Sequence, residues 1–159
     1  MTVKVGDNLP AGELAFLGEN GPESITTDEL CNGKKIVLFA VPGAFTPTCS
    51  EAHLPGFVAN ADKILAKGVD RIVCMSVNDP FVMGAWGKSQ NAEHLLMAAD
   101  GSAVFTKALG LELDLVARGL GVRSQRFSMI VDNGKITHLN VEDGPTFEVS
   151  SAEKILEQL

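Results

Sequence analysis

Two apolar runs decide which folds are open to this chain. Lys35–Val41 reads KIVLFAV and Arg71–Val77 reads RIVCMSV, and both are rich in β-branched residues. Neither alternates apolar with polar, so each is expected to be a strand buried on both faces. A sheet buried on both faces needs helices to cover it. Between the runs, Leu54, Phe57, Val58, Ala61, Ile64 and Leu65 recur at helical spacing, and Gly68 closes the pattern. Pro55 falls inside that helix, removes one backbone donor and crowds the carbonyl of Glu51, so a kink is expected there.

The rest of the chain continues the alternation. Asn78-Asp79-Pro80 opens a helix from Phe81 to about Lys88, Leu95–Ala99 reads as a short strand and Ala103–Leu109 as a short helix. Phe127–Val131 and Lys135–Val141 flank Asp132-Asn133-Gly134, a strong hairpin signal. Ser151–Leu159 is a closing helix, and the turn-rich Thr2–Thr27 holds short strands. Strands alternating with helices, then a hairpin and a last helix, give an α/β fold: a mixed central sheet flanked by helices. The 159 residues make one domain, 1–159, large enough to bury a core without disulfides.

The balance of 13 basic against 20 acidic residues leaves a net charge of −7, which argues against nucleic-acid binding. MTVKVGDNLP has no apolar signal-like stretch, and no apolar run is long enough to cross a bilayer, so a cytoplasmic protein without a membrane role is expected. Cys31, Cys49 and Cys74 are few and widely spaced, which is not a secreted disulfide framework. No C-x-x-C occurs, so neither a zinc ribbon nor a vicinal dithiol is encoded.

Cys49 stands out among them. It follows the first strand run in VPGAFTPTCSEAHLPG, Val41–Gly56. Thr46 fits a helix N-cap with Pro47 at the first helical position, and Thr48 with Glu51 offers a competing capping box. The first register makes Cys49 the third helical residue, where the helix N-terminus favours a thiolate. Pro42 and Pro47 stiffen the loop and restrict water, and the Thr46 hydroxyl can both donate to and accept from a small bound molecule. Other readings stand beside this one. A lone cysteine can be a small buried hydrophobe and Thr46 only a cap. His53, four residues on and on the same helix face, could pair with Cys49 as a hydrolase dyad. A non-enzymatic interaction module is the third reading.

The pattern Pro42-x-x-x-Thr46-x-x-Cys49 resembles the active-site motif of the peroxiredoxins, and VPGAFTPTCSEAHLPGF resembles their type II group in particular. The resemblance continues through GVDRIVCMSVNDPFVMGAWGKS, Gly68–Ser89, and RSQRFSMIVDNGKI, Arg123–Ile136. It implies a thioredoxin-like fold and a thiol-dependent peroxidase acting on hydrogen peroxide and small alkyl hydroperoxides in antioxidant defence, with no metal or organic cofactor. Cys49 would be the peroxidatic cysteine, oxidised to sulfenic acid. Thr46 would position the peroxide, Pro42 would shield the reacting atoms, and Arg126 would stand beside the sulfur. Arg118 and Arg123 are rivals for that last place. Plant-type members carry a cysteine in a context matching Cys74, which is thus a candidate resolving residue beside its reading as a core cysteine. Asp143–Lys154 holds no cysteine, so a C-terminal resolving route is closed. The resemblance leaves the reductant as glutaredoxin with glutathione, or thioredoxin, and implies a homodimer; Phe45 and Trp86 are candidates near that contact and, more simply, read as core residues. Cys31 matches no functional pattern and reads as structural or incidental.

Overall fold

The computed structural model describes residues 1–159. Strands β1 (Glu13–Gly18) and β2 (Gly21–Thr26) form a hairpin, followed by helix α1 (Thr27–Cys31) and strand β3 (Lys35–Ala40). A π-turn at Cys49–His53 leads into α2 (Leu54–Ala66), then β4 (Arg71–Ser76), α3 (Pro80–Ser89), β5 (Leu95–Ala99) and α4 (Val104–Leu109). A small hairpin of β6 (Glu112–Leu115) and β7 (Gly121–Ser124) precedes β8 (Phe127–Asp132), β9 (Lys135–Val141) and α5 (Ala152–Gln158). The main sheet runs β2-β1-β5-β4-β3-β8-β9, and β6-β7 is a separate two-stranded sheet.

The two apolar runs lie at the sheet centre as parallel neighbours, with Phe39 opposite Cys74. Alternation then splits their side chains between two layers. Val37, Phe39, Ile72 and Cys74 face α2, α3 and α5 through Leu54, Phe57, Ile64, Met83, Trp86 and Ile155. Ile36, Leu38, Val73 and Met75 face α1 and α4 through Leu30, Cys31, Phe105 and Leu109. The expected mixed sheet is present: β3, β4 and β5 are parallel, and β8 and β9 are antiparallel additions at one side. Asp132 pairs with Lys135 across Asn133 and Gly134, whose φ values of 49° and 83° suit the two-residue turn the sequence predicts.

Register fixes the site. Ala40 opposes Phe127, and Phe127 opposes Val141, so the ends of three strands align. The chain just beyond them at Val41, Arg126 and Glu142 therefore meets at one edge of the molecule. The Glu142 N–H donates to the Arg126 carbonyl at 3.0 Å and locks this alignment.

The helix start differs from the sequence reading in two ways. Thr46 does begin the helix, since its carbonyl accepts from the Ser50 N–H at 2.9 Å. Its hydroxyl, however, turns back to donate to the Gly43 carbonyl at 2.6 Å rather than capping the helix. Thr48 is itself helical and makes no side-chain cap, so the box with Glu51 is not formed. Around Pro55, the expected disruption takes the form of a widened turn. The Leu54 N–H bonds to the Cys49 carbonyl, five residues back, which inserts one residue into the helical turn. In that register Pro55 would face the Ser50 carbonyl, and the Gln90 side-chain amide donates to it at 3.2 Å instead. The orphan acceptor left by proline is thus satisfied from α3's end.

Candidate active site

The loop after β3 is held from several sides. Val41 N–H bonds to the Met75 carbonyl at 3.1 Å, and the Asn78 side-chain oxygen accepts from Ala44 N–H at 3.0 Å. Arg123 bonds to the carbonyls of Leu120 and Pro42, at 2.7 and 3.4 Å. Phe45 has φ of 65°, a strained value for a bulky residue, and the residue is 57% exposed. Of these two candidates, the core reading holds for Trp86 and not for Phe45: Trp86 is fully buried, and its indole N–H donates to Ser50 Oγ at 3.0 Å. It is a core residue that props the first turn of the helix.

Cys49 is 0% exposed and lies in the apolar layer with Phe39, Leu54, Phe57 and Cys74. Arg126, only 8% exposed, directs Nη2 at its sulfur at 3.1 Å. Its Nη1 donates to His53 Nδ1 at 2.9 Å. Guanidinium has donors only, so Nδ1 must be unprotonated and the ring proton sits on Nε2. That proton is donated to the Ser150 carbonyl at 2.9 Å. The His53 ring lies against Phe39, Phe57 and Phe147, with centroids 5.0, 5.6 and 4.9 Å away. Burial, and then the neighbouring Arg126 charge, push its pKa down to about 3. His53 is therefore a neutral acceptor that orients Arg126, a role the sequence did not show. Both ring nitrogens are committed, so neither can take a proton from Cys49, and the hydrolase dyad is ruled out.

Arg126 makes no ion pair; the one salt bridge of the protein joins Lys154 to Glu157. A buried cation faced by a neutral imidazole and an aromatic face calls for a negative charge at its remaining neighbour. That neighbour is the sulfur. The site can thus hold a thiolate, and it can hold charge that leaves the sulfur during a reaction. Of the rivals, Arg118 is exposed and Arg123 serves the loop backbone. Pro42 and Thr46 are half-buried on the loop beside Cys49.

Cys74 lies mid-strand with no exposed surface, and all three cysteines are free. Burial pushes the Cys74 thiol well above its ordinary value, and the nearby Cys49 adds to this. Cys31 is buried at the end of α1, its thiol pushed up to about 11 mainly by burial. That suits the structural reading of Cys31.

The sequence profile of the Redoxin family matches residues 4–156. Peroxiredoxin-2C of Oryza sativa subsp. japonica is 54% identical over 159 residues, covering 99% of this chain and 98% of the relative. Peroxiredoxin-2D of Arabidopsis thaliana is 52% identical with the same coverage. Among solved structures, reduced Prx3 of Vibrio vulnificus in complex with H2O2 superimposes with a TM-score of 0.96 at 58% identity, covering 99% of each chain.

Proposed function

The chain belongs to the Redoxin family and, within it, to the type II peroxiredoxins, thiol peroxidases of thioredoxin-like fold, and from that premise we propose how its own residues divide the reaction. The carrying observation is the 3.1 Å contact between Arg126 Nη2 and the enclosed Cys49 sulfur.

Cys49 thiolate attacks one oxygen of a hydroperoxide along the O–O axis. The S–O bond forms as the O–O bond breaks, and the departing oxygen leaves with the bonding pair as hydroxide or alkoxide. Cys49 becomes a sulfenic acid, oxidised by two electrons as the peroxide is reduced by two. Charge moves from sulfur to oxygen, and the Arg126 guanidinium is placed to follow it. The Thr46 hydrogen is committed to the Gly43 carbonyl, which leaves the hydroxyl oxygen free to accept from the hydroperoxide O–H. Pro42 shields the reacting atoms from water. The enclosed sulfur favours small substrates, hydrogen peroxide and short alkyl hydroperoxides.

A thiol then attacks the sulfenic sulfur, expels water and leaves a disulfide, which a second thiol reduces. We assign both steps to separate thiols: the burial of Cys74 in β4 disfavours it as the resolving thiol, so glutathione forms the mixed disulfide with Cys49 and glutaredoxin, in preference to thioredoxin, reduces it. Three free cysteines are in keeping with a reducing compartment such as the cytoplasm. Phe45, exposed on the active-site loop, supports a homodimer that covers it.

The deciding experiment follows peroxide consumption with glutaredoxin and thioredoxin systems supplied separately, beside sedimentation of the reduced protein. Turnover with the glutaredoxin system, its loss in Cys49→Ser and a dimeric mass are expected. Substantial turnover by Cys49→Ser would place the nucleophile elsewhere. Turnover with thioredoxin alone refutes the reductant, and a monomer refutes the pairing.

A further inference from the structure

Glu142 follows β9 and is buried, yet no cation pairs with it. Its carboxylate instead gathers the loop that follows. The backbone N–H groups of Glu148, Val149 and Ser150 donate to it at 2.9, 2.9 and 2.8 Å. The Ser150 hydroxyl adds a bond of 2.6 Å and the Thr146 hydroxyl one of 3.2 Å. Successive amides converging on one anion form a nest, here filled by the chain's own side chain. Burial pushes this carboxyl up, and the bonds from Ser150, Glu148 and Val149 outweigh it and hold the group below its ordinary range.

The loop closed in this way has its other side in the active site. Ser150 donates its N–H to Glu142 and presents its carbonyl to His53 Nε2. Phe147, from the same loop, lies 4.9 Å from the His53 ring and 5.9 Å from the Arg126 guanidinium carbon. A continuous chain of contacts therefore runs from Glu142 through Ser150, His53 and Arg126 to the Cys49 sulfur. We propose that Glu142 is a positioning residue of the peroxide reaction: by closing loop 143–150 it fixes the Ser150 carbonyl and Phe147, which set the His53 ring and hence the aim of the Arg126 guanidinium at Cys49.

This rests on Arg126 acting at the sulfur, and the chemistry of the nest makes it specific. Glutamine has one acceptor oxygen and would turn an NH2 group toward amide donors, whereas aspartate keeps the charge but withdraws it by one methylene. Small misplacements of a reacting group remote from a mutation can cost on the order of 100-fold. Glu142→Gln is therefore expected to slow sulfenic acid formation by about 10- to 100-fold, and Glu142→Asp to recover part of that loss.

The test is stopped-flow peroxide reduction and the pH profile of Cys49 alkylation, measured for Glu142→Gln, Glu142→Asp, Ser150→Ala and Arg126→Gln, and for the Glu142→Gln/Arg126→Gln pair. Slower reduction, an alkylation profile moved to higher pH, and no further slowing by Glu142→Gln once Arg126 is replaced support the proposal. Full rates in the Glu142 variants with only a lowered melting temperature overturn it, as does additive slowing in the double variant. Should Glu142→Gln not fold, Glu142→Asp and Ser150→Ala decide: unchanged rates and profiles in both overturn the proposal. If Arg126→Gln itself keeps the parent rate, the premise fails at the arginine, and that failure is separable because it shows in the single Arg126 variant.

Discussion

His53 should make this protein lose stability in mild acid, well above the range where carboxylates titrate. In an unfolded chain its imidazole would titrate near 6.5, whereas in the fold it is held down to about 3 by its aromatic cage and by Arg126. The unfolded state therefore binds a proton that the folded state refuses. The contribution is fully present above 6.5 and is lost progressively as the pH falls toward 3. At pH 5 the folded site is still neutral, so the loss relative to pH 7 follows from the unfolded group alone and comes to about 2 kcal/mol. Below that the slope approaches about 1.4 kcal/mol per pH unit. Glu142, also depressed in the fold, adds its own acid loss only below its ordinary value of 4.5, so pH 5 largely isolates the histidine. Replacing His53 with asparagine keeps an acceptor near the Nδ1 position and removes the titration. Urea unfolding followed by the single tryptophan, Trp86, at one protein concentration gives the free energies. The parent should lose about 2 kcal/mol more than His53→Asn between pH 7 and pH 5. Equal losses in the two proteins would mean that His53 is not the neutral buried ring described above.

Arg126→Gln should lower the plateau rate of stopped-flow peroxide reduction by ~100-fold or more, and Arg126→Lys should recover only part, since an ammonium cannot bond both the sulfur and His53 in the same planar fork. An unchanged plateau with only a shifted pH profile would restrict Arg126 to tuning ionisation. Cys74→Ser should keep full turnover with glutaredoxin, whereas peptide mapping of a Cys49–Cys74 disulfide in the peroxide-treated parent would restore Cys74 as the resolving residue. Hydrogen exchange should open Thr48–His53 faster than Ile64–Leu65, because the π-turn abuts a proline and α2 beyond it is regular; equal protection would refute a labile first turn.

The parts of the fold legible in the sequence were those set by local pattern. KIVLFAV and RIVCMSV could only be buried strands, and Asp132-Asn133-Gly134 could hardly be anything but a tight turn. Thr26 and Glu29 form a capping box at α1, a pattern equally legible in the sequence. The small β6-β7 hairpin leaves little trace in the sequence, since its strands are mostly half-buried and carry a weak apolar alternation. Pro55 announced a fault in its helix but not its form, because the π-turn depends on Gln90 reaching Ser50 from 40 residues away. The site divides in the same way. Cys49, Thr46 and Pro42 share one short motif, whereas His53 showed only the face it occupies. What its nitrogens touch lies 73 and 97 residues further along, at Arg126 and Ser150. In the sequence, only the family resemblance sets Arg126 apart from Arg118 and Arg123; the physical reason for it is the alignment of β3, β8 and β9.

A sulfur with no exposed surface imposes a schedule on its own chemistry. A peroxide needs only a momentary gap beside Pro42 and Thr46, but a glutathione or protein thiol must come in line with the new S–O bond and needs far more room. On the proposed reaction, the Cys49–His53 turn would have to unwind before the oxidised sulfur could meet its reductant. Its opening rate then acts as a clock that fixes how long each sulfenic acid waits, and during that wait a second peroxide can carry it irreversibly further. If the extra residue next to Pro55 makes this turn labile, as the hydrogen-exchange prediction has it, it would keep that clock short. Replacing this turn with a regular, fully bonded helix would leave a sturdier fold and a catalyst more easily destroyed by its own substrate.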